Sequence, residues 1–261
     1  DLRPSPARPG DPLYKRPGVP PLRPGVPLGA AGAASARVQP PWLRTAALGL
    51  LIGAFGFHLL FVPLPGYERD LHLFGKWMKE SVAKGVSEVA GRPEGGAGHM
   101  WCDYPPGYLY LLKGLGLLHG VLFGEISDTA IDALQTGELR KKGESLTPER
   151  LEALKRDVFR LRFLLKLVPI LSVIAGAWVL GRIAGPRLPP WGVLVAMGSY
   201  AFNPAMIFNG AVWGQVDSLT GLAILLAAWA LLGGRTRLAF GLVSAAILVK
   251  YQSAIVFPAL L

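Results

Sequence analysis

The strongest constraint on this chain is a set of apolar runs of about 18 to 20 residues, centred on residues 46–64, 105–123 and 163–180. A hydrocarbon layer of about 30 Å calls for roughly 20 apolar residues in a helix. In lipid the backbone must satisfy its own hydrogen bonds, so such runs are helical. The expected fold class is therefore all-α, a polytopic transmembrane helix bundle. Composition agrees: 51% of the 261 residues are hydrophobic and only 17% charged, too few charges to coat a soluble domain of this size. A formal charge of +10 would suggest nucleic acid in a soluble protein. Here the basic residues cluster beside apolar runs, where they orient a protein in the membrane, and no nucleic-acid partner is expected.

Residues 1–42 carry eleven of the 23 prolines. They cannot bury enough apolar surface to offset ordering entropy, and are expected to form a disordered cytoplasmic tail. Residues 43–261 form the membrane module. Its spans are expected at about 46–64, 105–123, 163–180, a broken 191–213, 214–232 and 238–261. Basic flanks at Arg37 and Arg44 put the N-terminus inside, so the loop 66–104 lies outside. Within it, residues 67–78 read as an amphipathic helix lying at the membrane surface. With 105–123 crossing back, the charged connector 125–162 is cytoplasmic. Two routes remain for 191–213. A full crossing would leave Gln215 in the cytoplasm. A dip broken at Asn203-Pro204 would leave Gln215 and Asp217 outside, and the positive-inside rule favours the dip. The sequence begins with Asp and stops within an apolar run, so a longer chain with further spans is expected. Cys102 is the single cysteine, which excludes an internal disulfide. No cluster has metal-ligand spacing, and no metal or cofactor is indicated.

Four groups could carry chemistry. In "YERDLHLFGKWM", Asp70, Phe74 and Trp77 share a helical face; the bland use of Asp70 is to complement a helix dipole. In "DYPP", the prolines begin a helix and hold Asp103 and Tyr104 at the interface, where they could equally form an aromatic belt with an incidental acid. In "WGQVDSL", Gln215 and Asp217 open a span, where polar groups default to function, although Asp217 could simply cap. In "LVKYQSAIVFP", Lys250 lies near the same level, snorkelling or holding a lipid-linked phosphate. Acids, an amide and a cation beside a lipid-accessible cavity suit group transfer from a phosphate-linked lipid.

The ordered motifs "DLHLFGKW", "DYPPGY", "NP…WGQVDSL" and "KYQSA…FP" resemble the GT-C superfamily of integral-membrane glycosyltransferases. The resemblance spans about residues 45–261. It is closest to the bacterial and archaeal mannosyltransferase-like proteins related to the GPI-anchor mannosyltransferases. More distantly it extends to the dolichyl-phosphate-glucose-dependent glucosyltransferases. It implies a polyprenyl-phosphate-linked sugar donor, a lipid, glycan or protein acceptor, inversion at the anomeric carbon, and a site on the non-cytoplasmic face of a bacterial plasma membrane. It also implies that Asp70 is the catalytic base, with Asp103, Tyr104, Gln215, Asp217, Lys250 and Gln252 contacting substrates. One departure stands out: relatives often carry an Asp in the third span, where this chain has Ser172. A transporter or flippase, and a non-enzymatic assembly subunit, are the competing readings. Broken helices and intramembrane polar groups suit a transporter as well.

Overall fold

The computed structural model describes residues 38–90 and 102–260; the tail expected at 1–42 falls almost wholly outside them. The described residues are helical, with no strand among them. Three helices are long and apolar enough to cross a membrane: α1 (Pro41–Leu59), α7 (Pro148–Ala184) and the segment Pro190–Trp213. The last comprises α8 (Pro190–Ala201), a short α9 (Pro204–Met206) and a π-helical turn, Ile207–Trp213. Two shorter apolar helices follow, α10 (Asp217–Leu232) and α11 (Thr236–Val249).

Packing fixes their directions. Leu43 meets Ala184, Ala54 meets Ala177, and Val62 meets Ile170, so α7 runs antiparallel to α1. Along the same rows Val193, Ala201 and Ala211 follow α1 in parallel, one after another. The 190–213 segment therefore travels the whole length of α1 and does not dip and return as expected. The break at Asn203-Pro204 is real but closed. Asn203 Oδ1 accepts from the Ala205 amide (2.9 Å), leaving the Ala201 carbonyl without its usual intrahelical donor, and the buried His58 Nε2 lies 2.8 Å from that carbonyl. The carbonyl that Pro204 itself cannot serve, Tyr200 O, accepts from the Asn203 amide (3.3 Å), so neither carbonyl is orphaned. α10 runs beside α7, with Ser218 Oγ donating to Pro169 O (2.9 Å) at one end and Trp229 edge-on to Trp178 at the other. α11 returns against α10 through Ala227, Ala230, Ala239 and Val243.

The remaining helices form a cap at one end of this bundle: α2 (Glu68–Lys84), α3 (Val86–Ala90), α4 (Pro106–Phe123), α5 (Asp128–Asp132) and α6 (Thr136–Ser145), with the first turns of α7. Their shared core contains Leu71, Phe74, Trp77, Tyr108, Leu112, Ile131, Leu134 and Leu161. Two expectations need correction. Phe74 and Trp77 do not face lipid; both are buried against α4, in ring contact with Tyr104. And α4 does not cross from one end to the other. Its first turn presses Gly107 against Leu248, near Lys250. At its other end Phe123 lies under the Arg160 guanidinium (4.8 Å), two residues from Arg162, which reaches Pro63 O just past α1. Both ends of α4 therefore sit at the same end of the bundle, and so does the 125–162 connector. The helix has the length of a span but is not among those apolar enough to cross, and it spends its apolar face on α2, where Gly116 lets Met78 and Val82 approach closely.

The charges of the connector are largely spent on neighbours. Lys79 pairs with Asp128 across α2 and α5 (2.7 Å), Lys142 with Asp132, and Arg160 with Asp157. His72 in α2 lies 3.4 Å from Asp132. Burial lowers the His72 pKa, outweighing the Asp132 carboxylate that favours its charged form. A group whose charged form is disfavoured on folding stabilises the fold above its unfolded pKa, about 6.5, and ceases to do so as the solution acidifies past it.

Where the cap meets the bundle, Lys166 is completely buried (0% exposed) in α7. Its ammonium donates to the carbonyls of Phe61 (3.4 Å), Val62 (3.3 Å) and Leu64 (2.7 Å). It neutralises the negative end of α1 and serves the Val62 and Leu64 carbonyls, while Phe61 O also accepts from the Leu64 amide (3.2 Å). Acidification from pH 7 to 5.5 should weaken the α2–α5 contact in the native protein, and His72→Gln should abolish that pH response; hydrogen exchange of residues 68–84 measures both. Lys166→Met should destabilise the protein by on the order of 3 kcal/mol through unmet carbonyls, read as a lowered melting temperature in detergent.

Candidate functional site

The cap and bundle bring five of the expected residues together, from the ends of four separate segments. Asp70 sits in the first turn of α2, held there by the turn before it. Gly66 adopts φ +75°, and a Cβ would come within 2.7 Å of Val212 O and 2.8 Å of Trp213 O, so only glycine fits the approach. The Tyr67 amide then donates to Trp213 O (3.4 Å), and the Tyr67 and Trp213 rings touch at 5.2 Å.

From the bundle side, the π turn sets what Asp70 meets. Asn209 O accepts from the amides of both Gly214 (3.1 Å) and Gln215 (3.0 Å), closing the wide turn. Gly214, at φ +92°, reverses the chain against Leu71, leaving no room for a Cβ (2.8 Å to Leu71 Cδ2). This aims two side chains at one oxygen: Trp213 Nε1 donates to Asp70 Oδ2 (3.0 Å), and so does Gln215 Nε2. The other side of the Gln215 amide accepts from Tyr104 Oη (2.9 Å). Asp70 Oδ1 has no hydrogen bond to any described residue, which leaves one carboxylate oxygen free beside a carboxylate whose other oxygen is fixed.

A second pair lies alongside. Asn209 Nδ2 donates to Asp217 Oδ2 (2.9 Å), and the Lys250 ammonium donates to Asp217 Oδ1. The side chains are 43% and 18% exposed respectively, so the pair is open to a ligand from the Asp217 side. Lys250 Nζ lies 5.8 Å from the centroid of the Tyr104 ring, whose hydroxyl serves the Asp70 group. Tyr104 therefore joins the two halves. Burial, with the Asp70 and Asp217 carboxylates behind it, pushes the Tyr104 phenol well above its ordinary range, so it remains a neutral donor.

Two expected residues are not brought in. Asp103 and Gln252 are both exposed and make no hydrogen bond to the described residues. Ser172 is buried and bonds the Val168 carbonyl of its own helix (2.8 Å), a local use with no reach to Asp70. The sequence reading passed over Trp213 and Asn209 as site residues. The signal for Trp213 was its place two residues before Gln215 at a helix exit; Asn209 was read only as a helix breaker. Among the described residues no group of three His, Cys, Asp or Glu could hold a metal ion.

No protein-family model matches the chain, and no curated protein or solved structure matches it either.

Because Gln215 alone among the described residues bridges Tyr104 and Asp70 by hydrogen bonds, Gln215→Leu should free the Tyr104 hydroxyl and remove one donor from the carboxylate. The expected outcome is faster hydrogen exchange in the first turns of α2 with the melting temperature changed little, measured by hydrogen-exchange mass spectrometry of residues 67–74.

Proposed function

We propose that this protein is a membrane glycosyltransferase that uses Asp70 as general base, moving a sugar from a polyprenyl-phosphate-linked donor to an acceptor hydroxyl. The observation that carries the proposal is the pairing of a half-free carboxylate (Asp70) with an adjacent cation (Lys250) through a single aromatic residue, Tyr104. The ordered motifs that resemble the GT-C superfamily supply the substrate class.

The chemistry follows from the positions. Asp70 Oδ1 takes the proton of the acceptor hydroxyl as its oxygen attacks the anomeric carbon. The bond from that carbon to the donor phosphate oxygen breaks, and the electron pair leaves with the polyprenyl phosphate. Trp213 and Gln215 hold Oδ2, so the carboxylate does not rotate away from its target. The departing phosphate gains negative charge at the Lys250 side of Tyr104, where the ammonium offsets it. Asp217 keeps that ammonium in place between turnovers. Attack opposite the leaving group inverts the anomeric centre.

The charge distribution supports a non-cytoplasmic site. Between residues 63 and 162 there are fourteen Lys or Arg and fourteen Asp or Glu. Around the opposite helix ends stand Arg44, Arg182, Arg187, Arg235 and Arg237, with no acid in residues 36–62 and only Asp217 in residues 163–261. Uncompensated cations stay on the cytoplasmic side, which leaves the Asp70 end facing out of a bacterial plasma membrane. The acceptor is a lipid, glycan or protein hydroxyl.

Asp70→Asn in the full-length protein should lower kcat for sugar transfer from a polyprenyl-phosphate-linked hexose by about 100-fold or more with KM little changed. Full activity in that variant removes Asp70 as the base, and lipid flipping without any glycosyl product moves the protein to the transporters. For orientation, a membrane-impermeant maleimide should label Cys102 in intact cells, slowly and faster at alkaline pH because burial raises its thiol pKa. A cysteine placed at Arg235 in a Cys102→Ser background should react only after permeabilisation.

A further inference from the structure

A recess among the described residues lies away from Asp70. It is a cleft of about 600 Å³ at the opposite end of the bundle, between α1, α7 and α8. Its wall is apolar, formed by Leu43, Leu51, Val193 and Met197, with Arg44 and Arg182 at its edge. Both arginines are exposed, and neither pairs with a carboxylate among the described residues. Residues 36–62 hold no acid at all, and the single acid of residues 163–261, Asp217, is at the far end of α10. The Arg182 guanidinium lies 5.9 Å from the Trp178 ring centroid, which holds it toward the cleft's rim.

Gln39 closes one end of the cleft: its Nε2 donates to Gly185 O (2.5 Å) and Leu188 O (3.1 Å), tying the end of α7 to the start of α1. An occupant must therefore bring an anion for two guanidinium groups and hydrocarbon for the wall.

We propose that this cleft binds one anionic phospholipid, with phosphatidylglycerol as the probe chemistry. The phosphodiester meets Arg44 and Arg182, which match phosphate in fork geometry. An acyl chain lies along Leu51, Val193 and Met197, removing that wall from water. A choline headgroup brings a cation toward two cations. Free phosphate satisfies the arginines and leaves the apolar wall uncovered. The inference rests on these helices crossing a membrane, with the arginines at headgroup level. It does not depend on Asp70 being a catalytic base.

The test is lipid binding to the full chain in detergent micelles by native mass spectrometry. Phosphatidylglycerol and phosphatidylcholine are compared. Phosphatidylglycerol should bind as a single molecule at least fivefold tighter than phosphatidylcholine. Arg44→Ala with Arg182→Ala should erase that preference. Should the arginine variant fold poorly, Ala47→Trp fills the cleft from α1 and should displace the lipid with the charges intact. Equal binding of phosphatidylglycerol and phosphatidylcholine overturns the proposal. So does displacement of the lipid by inorganic phosphate at similar concentration, or a second copy of the chain appearing in place of the bound lipid.

Discussion

The structure depends on one buried ammonium. Lys166 enters the protein interior without a carboxylate and bonds three carbonyls beyond the last turn of α1. A lone charge at such depth is tolerable only when acceptors surround it, and a helix's negative end supplies them at the lowest cost. The contact also fixes a height. It sets the level at which α1 stops, and thus where Gly66 turns and where Asp70 begins. Gly214 rests on the Lys166 stem (3.4 Å from a Cβ position), so the same side chain sets the level of Gln215. The carboxylate and its donors meet because both are referenced to one cation.

A second theme is economy at irregular backbone. The Asn203-Pro204 break, the π turn and the positive-φ glycines Gly66 and Gly214 are all places where helical hydrogen bonding fails. Each failure is met by a specific side chain or neighbouring stretch of backbone. His58 takes the Ala201 carbonyl, Asn209 O takes two amides, and Trp213 O takes the Tyr67 amide. Irregularities on the mid-helix side are sealed, while those beside Asp70 point polar groups at its carboxylate.

Much of the site could be read from residue type alone. In so apolar a chain, Asp70, Gln215, Asp217 and Lys250 are conspicuous because a polar group there needs a reason, and Tyr104 follows from the prolines beside it. The path of the chain was less readable. The 105–123 run has the length of a span, and nothing in its composition says that its partner is α2. The connector's basic residues were read as a charge excess because a sequence does not show that Arg160 and Lys142 meet acids nearby. The 190–213 segment was read as a dip because a proline break suggests a cavity, and His58, some 140 positions earlier, is what closes it. The two departures in direction offset each other, so Gln215 lies beside Asp70 by a different route from the one expected. Asp103 and Gln252 looked equivalent to their neighbours in the motifs, yet an offset of one or two residues at a helix end is enough to turn a side chain away.

The π turn at Ile207–Trp213 has one more implication. Such a turn holds an additional residue within nearly the same rise, and each residue of a helix advances the face by about 100°. The indole of Trp213 and the amide of Gln215 therefore point at Asp70 by virtue of pitch. The carboxylate's environment is a matter of angular phase: rewinding a single turn of one helix would swing both donors off it without any change in composition or in the residues around the site.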